Sequence, residues 1–137
     1  LMKHELKNAY IYLNVLMKID ENQIIHGNVN VLVQVVNNMI SNAIQAYDGK
    51  HDQNIQLEIS KDSGNVIFSV TDFAGGLPKE VQDRLFKEMV TTKGKNGTGL
   101  GLYMSYSNIK AHFGGDITYQ TEDGKGTTFN ILIPINK

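Results

Sequence analysis

Asn38 and Asn42 stand four residues apart in an otherwise strongly apolar stretch, with Gln34 and Gln45 in the same segment. On a helix this spacing sets one amide above the other. Amide oxygens are hard, neutral donors that can help hold Mg2+, an ion that keeps several waters and also takes substrate phosphates. A second group is Val70-Thr71-Asp72-Phe73-Ala74-Gly75-Gly76-Leu77. At a strand end, the acceptor-only carboxylate of Asp72 can receive a hydrogen bond from an exocyclic amine such as that of adenine, and the glycines let the backbone approach a flat base. A third is Gly97-Thr98-Gly99-Leu100-Gly101-Leu102, running into a helix. Amides freed by glycine at a helix N-terminus suit phosphate. The fourth, Gly124-Lys125-Gly126-Thr127-Thr128-Phe129, brings a Thr127 hydroxyl to the start of a strand. Each group alone has an ordinary reading: a solvated helix face, a turn, a glycine-rich loop, a hairpin. The third is neither a Walker loop, lacking a Gly-Lys-Ser/Thr ending, nor a Rossmann fingerprint, because a polar, basic segment precedes it.

These residues need elements to hold them. Residues 1–8 read as the end of a helix, and 9–137 as one domain. Ile11, Leu13 and Val15 alternate with Tyr12, Asn14 and Leu16 as in a strand. Ile24-Ile25 reads as a short extended piece. The clearest helix runs from about Asn30 to Tyr47, with Leu32, Val35, Val36, Met39, Ile40 and Ala43 on one side and the amides on the other. Ile55, Leu57 and Ile59, then Val66, Phe68 and Val70, form a hairpin about Asp62-Ser63-Gly64-Asn65. Pro78 opens a short helix through about Phe86. A further helix starts near Leu100 and stops at Gly114-Gly115. Strands from Ile117 to Thr121 and from Thr128 to Ile135 close the chain. The pattern is α+β, a sheet with helices on one face.

The 137 residues suit a single compact domain with its own core. A net charge of −1 gives no basic footprint for nucleic acid or for a membrane surface. The absence of cysteine excludes disulfides and thiolate metal sites and fits a reducing cytoplasm. No apolar run approaches the ~20 residues that span a bilayer, and no signal peptide opens the chain. The opening Leu1-Met2-Lys3-His4 reads as an internal start, so a domain from a longer parent, one that could be anchored in the inner membrane, is expected.

The order of an Asn-rich helix, Asp-x-Ala-Gly-Gly, Phe86-Lys87-Glu88-Met89-Val90-Thr91-Thr92-Lys93, Gly-Thr-Gly-Leu-Gly-Leu and Gly-x-Gly-Thr-x-Phe resembles the catalytic ATP-binding domain of bacterial sensor histidine kinases. That family belongs with gyrase, the heat-shock chaperone ATPase and the mismatch-repair ATPases. The likeness covers roughly residues 9–135, and five boxes in one order make it specific. It implies a two-layer α/β sandwich, a mixed five-stranded sheet packed on three helices, binding ATP and Mg2+. It implies that Asn42 holds Mg2+ and that Asn38 and Lys93, with Lys95 as an alternative source of positive charge, lie near the transferred phosphoryl group. Asp72 takes the adenine amine, with Gly76 and Leu77 beside the base and Thr127 in support. Phe86, Thr91, Thr92 and Lys93 match a lid over the nucleotide, and Gly97, Thr98, Gly99, Leu100, Gly101 and Leu102 match the phosphate loop.

The chain departs from the family pattern in places. Gln45-Ala46 stand where many such kinases carry Lys-Tyr, which leaves Gln45 in the contact position and Tyr47 as the candidate to stack on the base. Met89-Val90 replaces a phenylalanine pair, and Ala74 replaces a glycine. His4-Glu5-Leu6-Lys7 looks like a phosphoacceptor box, but proline is missing and only 34 positions separate His4 from Asn38, too few for the two-helix hairpin the family places there. The resemblance therefore implies phosphoryl transfer from ATP to a histidine on a separate dimerisation domain, with a response regulator downstream, and a monomeric isolated domain. A water-activating hydrolase is disfavoured because it places a carboxylate where Asn38 stands. An anti-sigma-type serine kinase and a nucleotide-binding regulatory module without transfer are the alternatives.

Overall fold

The computed structural model describes residues 2–20, 22–90 and 98–135. In chain order the elements are α1 (Lys3–Ala9), β1 (Ile11–Met17), α2 (Val29–Ala46), β2 (Gln53–Asp62), β3 (Asn65–Asp72), α3 (Lys79–Val90), α4 (Thr98–Phe113), β4 (Asp116–Glu122) and β5 (Gly126–Pro134). The strands form one sheet in the order β1-β2-β3-β5-β4. β1 and β2 are parallel and the other neighbours antiparallel, so the sheet is mixed. The parallel pair needs a crossover, and α2 supplies it. β2 and β3 instead join through Ser63 and Gly64, at φ 51° and 82°. Two successive positive-φ residues make the turn whose twist matches a hairpin.

Helix α2 starts where a side chain can cap it. Asn28 accepts hydrogen bonds from the backbone N–H groups of Asn30 and Val31 at 2.9 and 3.4 Å, two of the donors a helix start leaves free. The predicted stripe Leu32, Val35, Val36, Met39, Ile40 and Ala43 is the buried face. It lies over β2 and β3, while α4 lies over β4 and β5 and α3 packs on α4. One face of the sheet is thereby covered. The inward residues Ile55, Leu57, Val66, Val70, Ile117, Phe129, Ile131 and Ile133 are all buried. Along β5 buried and half-buried residues alternate without a break, the mark of a strand with one face in the core.

The structure differs from expectation at the margins. Val15 and Met17 should point inward but are 50% and 59% exposed, because β1 is an edge strand and the seven-residue α1 shields only its start. α3 continues past Phe86 to Val90, and α4 begins at Thr98, not Leu100. No helix among the described residues is long and apolar enough to cross a membrane.

Candidate functional site

The site begins with a row of polar side chains across one end of the sheet's covered face. Asp72 closes β3 and follows Val66 and Val70 at a spacing of two, so its side chain points in with theirs. The register sets it opposite Thr127 of β5, and Thr127 opposite Thr121 of β4. Asp72 is 6% exposed and Thr127 is buried beside it. The backbone N–H of Ala74 donates to Asp72 Oδ1 at 3.0 Å, and the Thr127 amide also bonds the carboxylate. Thr121 and Thr127 share a hydroxyl–hydroxyl bond of 3.0 Å, and the Leu77 N–H donates to Thr121 Oγ1 at 2.8 Å. Burial pushes the Asp72 carboxyl above its ordinary 3.8, and the two amides pull it back in part.

Two motifs some fifty positions apart are stitched together here. The Gly75 N–H donates to the Lys125 carbonyl at 3.1 Å, and the Gly124 N–H to the Gly75 carbonyl at 2.9 Å. Gly76 has φ 87°, and a Cβ there would lie 2.5 Å from the Glu122 carbonyl oxygen. At Gly126 a Cβ would lie 2.0 Å from the Asp72 carbonyl oxygen. Only glycine lets these backbones approach so closely.

Tyr47, which follows α2, reaches the same corner. Its hydroxyl accepts from the Phe73 N–H at 2.7 Å and donates to the Asn54 carbonyl. The ring is buried in the core, so it is not free to stack on a base. That expectation is corrected: Tyr47 braces the strand carrying Asp72.

Asn38 and Asn42 lie half-buried on α2. Asn38 Nδ2 donates to Ser105 Oγ of α4 at 3.1 Å, which ties the amide column to the helix that opens with the glycine box. Neighbouring Asn37 holds a buried Oδ1 without a hydrogen-bond partner among the described residues. Thr98, Gly99, Leu100 and Gly101 form the start of α4. Backbone N–H groups at a helix start lack acceptors within the helix and collect partial positive charge. Among the described residues of the box, 98–101, the amides on offer are those of a helix end.

Other predicted residues fall elsewhere. Gln45 is exposed and lines a groove with Asn8, Asp48, Lys50 and His51, not the Asp72 corner; its position on the helix turns it towards α1. Leu102 is 1% exposed in the core and supports the helix from within. Thr91, Thr92, Lys93, Lys95 and Gly97 lie outside the described residues, as do the side chains of Phe86 and of residues 98–101. His4 pairs with Asn8 on the exposed face of α1. An open cleft of about 720 Å³ at the same corner is lined by Asp72 and Thr121 together with Thr71, Phe73, Lys125 and Thr128. Thr71 and Thr128 alternate with the buried row, so the cleft opens on the sheet's other face and reaches the row at its rim, at Asp72 and Thr121.

Sequence reasoning does not single out Thr121 or Ser105. For Thr121 a signal exists: it follows Ile117 and Tyr119 at a spacing of two, a polar residue at an inward position. Ser105 carries no such signal, since its pairing with Asn38 depends on how α2 and α4 cross.

The residues suit a divalent cation only in company with phosphate. No group of three His, Cys, Asp or Glu side chains that could hold a metal occurs among the described residues. The half-buried Asn42 would contribute a single neutral oxygen, and Mg2+ accepts such sparse protein ligation when substrate phosphates complete its shell.

Comparisons with known proteins bear on this arrangement. Residues 27–137 match the family described as histidine kinase-, DNA gyrase B-, and HSP90-like ATPase. The chain is 39% identical over 105 residues to sensor histidine kinase ZraS of Escherichia coli K12, covering 77% of this chain and 22% of that protein. It is 38% identical over 121 residues to sporulation kinase E of Bacillus subtilis 168, covering 87% of this chain and 16% of that protein. The chain thus spans about a fifth of the length of these relatives. Among solved structures, the nucleotide-free catalytic domain of histidine kinase ThkA superposes with a TM-score of 0.77 at 25% identity, covering 98% of this chain and 85% of that one. Full-length ShkA in complex with AMPPNP gives a TM-score of 0.78 at 25% identity, covering 99% of this chain and 28% of that one.

Proposed function

Because the chain belongs to the histidine kinase-, DNA gyrase B-, and HSP90-like ATPase family, as an ATP-binding domain of the sensor histidine kinase type, we propose that it binds ATP together with Mg2+ and donates the γ-phosphoryl group to a histidine on a separate helical domain of its parent kinase. The observation that carries this reading is the buried Asp72 carboxylate, in one row with Thr127 and Thr121 and walled by two glycine turns. An acceptor-only group facing inward at a site closed to side chains suits a flat base with an exocyclic amine.

In this mechanism Asp72 accepts the adenine amine, Thr127 and Thr121 steady that contact, and Gly76 and Leu77 border the base. Asn42 would hold Mg2+, which when bound would supply positive charge beside the phosphates. The amides of Gly97, Thr98, Gly99, Leu100 and Gly101 receive the phosphates. Phe86, Thr91, Thr92 and Lys93 close over them. The acceptor imidazole nitrogen attacks the γ-phosphorus, the bond to the β-phosphate oxygen breaks, and ADP leaves with that electron pair. The imidazole proton passes to a base on the partner domain. Catalysis is then positioning and charge stabilisation.

Transfer is favoured over hydrolysis by Asn38. Its neutral amide is already engaged with Ser105 and makes a poor base for activating water. A response regulator would take the phosphoryl group onward, and a need for ATP fits a cytoplasmic domain. The test is to mix the chain with a helical domain bearing the cognate histidine and labelled ATP. Acid-labile label on that domain is expected. ATP binding with no transfer overturns the kinase reading and leaves a nucleotide-binding regulatory module.

A further inference from the structure

Tyr47 does something that packing alone does not require. A buried aromatic at the end of a helix is ordinary core, and phenylalanine would fill the same space. The hydroxyl is the unexplained part, because a buried O–H is costly unless it is bonded.

Both of its bonds go to main chain at the rim of the Asp72 corner. The β2–β3 register pairs Ile55 with Asp72, so the next rung of the ladder would join Phe73 to Asn54. No direct rung forms there. The Phe73 N–H donates to the Tyr47 hydroxyl at 2.7 Å, and that hydroxyl donates to the Asn54 carbonyl. The side chain is spliced into the ladder at its last position and holds the strands apart by one oxygen atom.

The next backbone N–H beyond Phe73, that of Ala74, is the one that bonds Asp72 Oδ1. The brace therefore acts on the peptide units on either side of Phe73, and these orient the carboxylate. Burial pushes the Tyr47 hydroxyl above its ordinary value, the Phe73 bond opposes it in part, and the charge of Asp72 adds a smaller push upward. It stays protonated, as its bond to Asn54 requires.

We infer that Tyr47 is a positioning residue for base recognition: its hydroxyl replaces the final rung between β2 and β3 and sets the direction in which Asp72 meets an exocyclic amine. The inference rests on the ATP-binding reading above. It goes beyond that reading by placing part of the adenine-over-guanine preference in a side chain that touches no nucleotide. Guanine presents a carbonyl where adenine presents its amine. A carboxylate aimed at that position meets a donor on adenine and an acceptor on guanine.

The test is calorimetric binding of ATP and of GTP to the chain and to Tyr47→Phe. The expected result is an ATP affinity lower by roughly fivefold, the worth of one neutral hydrogen bond, with GTP affinity nearly unchanged and the preference narrowed accordingly. A purely structural brace would instead lower the melting midpoint and weaken both nucleotides in parallel, and that outcome overturns the inference. Should Tyr47→Phe fail to fold, 3-fluorotyrosine at position 47 keeps the ring and makes the hydroxyl a weaker acceptor. It should narrow the preference in the same direction by a smaller factor, and an unaltered preference there overturns the inference. If the unsubstituted chain binds no ATP, the underlying functional reading fails. If it binds ATP selectively and the variants keep that selectivity, only the role of Tyr47 fails.

Discussion

A carboxylate placed as Asp72 is placed works against the fold that holds it. Its proton is retained to higher pH in the folded state than in the unfolded chain, because burial raises it above 3.8 and the Ala74 and Thr127 amides offset only part of that. Ionisation therefore destabilises the fold. The penalty is absent below 3.8, grows as pH rises through the raised folded value, and is complete above it. Asp72→Asn removes the ionisation, so the wild type should gain stability relative to that variant as pH is lowered through this window, measured by denaturant unfolding at each pH. Binding should move the other way. Losing a charged acceptor weakens ATP by about 1.5–3 kcal/mol, and wild-type affinity should fall as pH drops through the raised value by more than the variant's, which follows only the titration of ATP itself. The ATP phosphates titrate identically with both proteins, so the difference isolates the side chain. Parallel pH profiles would remove Asp72 from the site.

The turns that carry the glycines are where local geometry decides between stability and function, and two of them separate the effects. Gly124 has φ 78° with open space around its missing Cβ, whereas Gly126 would drive a Cβ to 2.0 Å from the Asp72 carbonyl oxygen. Gly124→Ala should cost about 1–2 kcal/mol of stability, the price of a left-handed residue, and leave ATP affinity intact. Gly126→Ala must push β5 off β3 at the Asp72–Thr127 pair, with an overpacking cost of roughly 1–3 kcal/mol and a clear loss of affinity. Equal affinities would mean that the pair does not shape the site. Much of this level is legible in the sequence, because periodicity reports burial: the α2 stripe and the alternation of β2, β3 and β5 reappear in the structure. Periodicity fails where coverage ends, which is why Val15 and Met17 of the edge strand alternate correctly yet face solvent. It also fails where glycine misleads, since Gly99 and Gly101 look like loop residues but sit in the first turns of α4. At the site, Asp72 and Thr127 announce themselves by type and motif. Tyr47 does not, because the meaning of a buried hydroxyl lies in which strands it happens to bridge. Gln45 misleads for the complementary reason: a helical wheel groups it with Asn38 and Asn42, but the next neighbouring element decides what that side of the helix faces.

At the scale of the whole molecule, the proposed site would join regions far apart in sequence. α2 would supply the amides, β3, β5 and β4 the carboxylate row, and α4 the helix end, with the Asn38–Ser105 and Tyr47–Phe73 bonds as cross-ties. A ligand that engages all of them stabilises the entire fold by mass action. At a hundred times its dissociation constant the gain is ~2.7 kcal/mol, or roughly ten degrees in the melting midpoint at the ~4 degrees per kcal/mol suited to a domain of this size. The metal's share can be read from the same curve. Base recognition through Asp72 needs no cation, so ATP with a chelator should give part of the shift and added Mg2+ the remainder. Asn42→Ala should abolish that added part and keep the chelator-resistant part, while Asp72→Asn should reduce both, because it weakens the contact common to each. An Asn42→Ala protein that still responds fully to Mg2+ would assign the metal to other residues. The pocket would then lack its α2 side, with the Asp72 corner left standing on its own geometry.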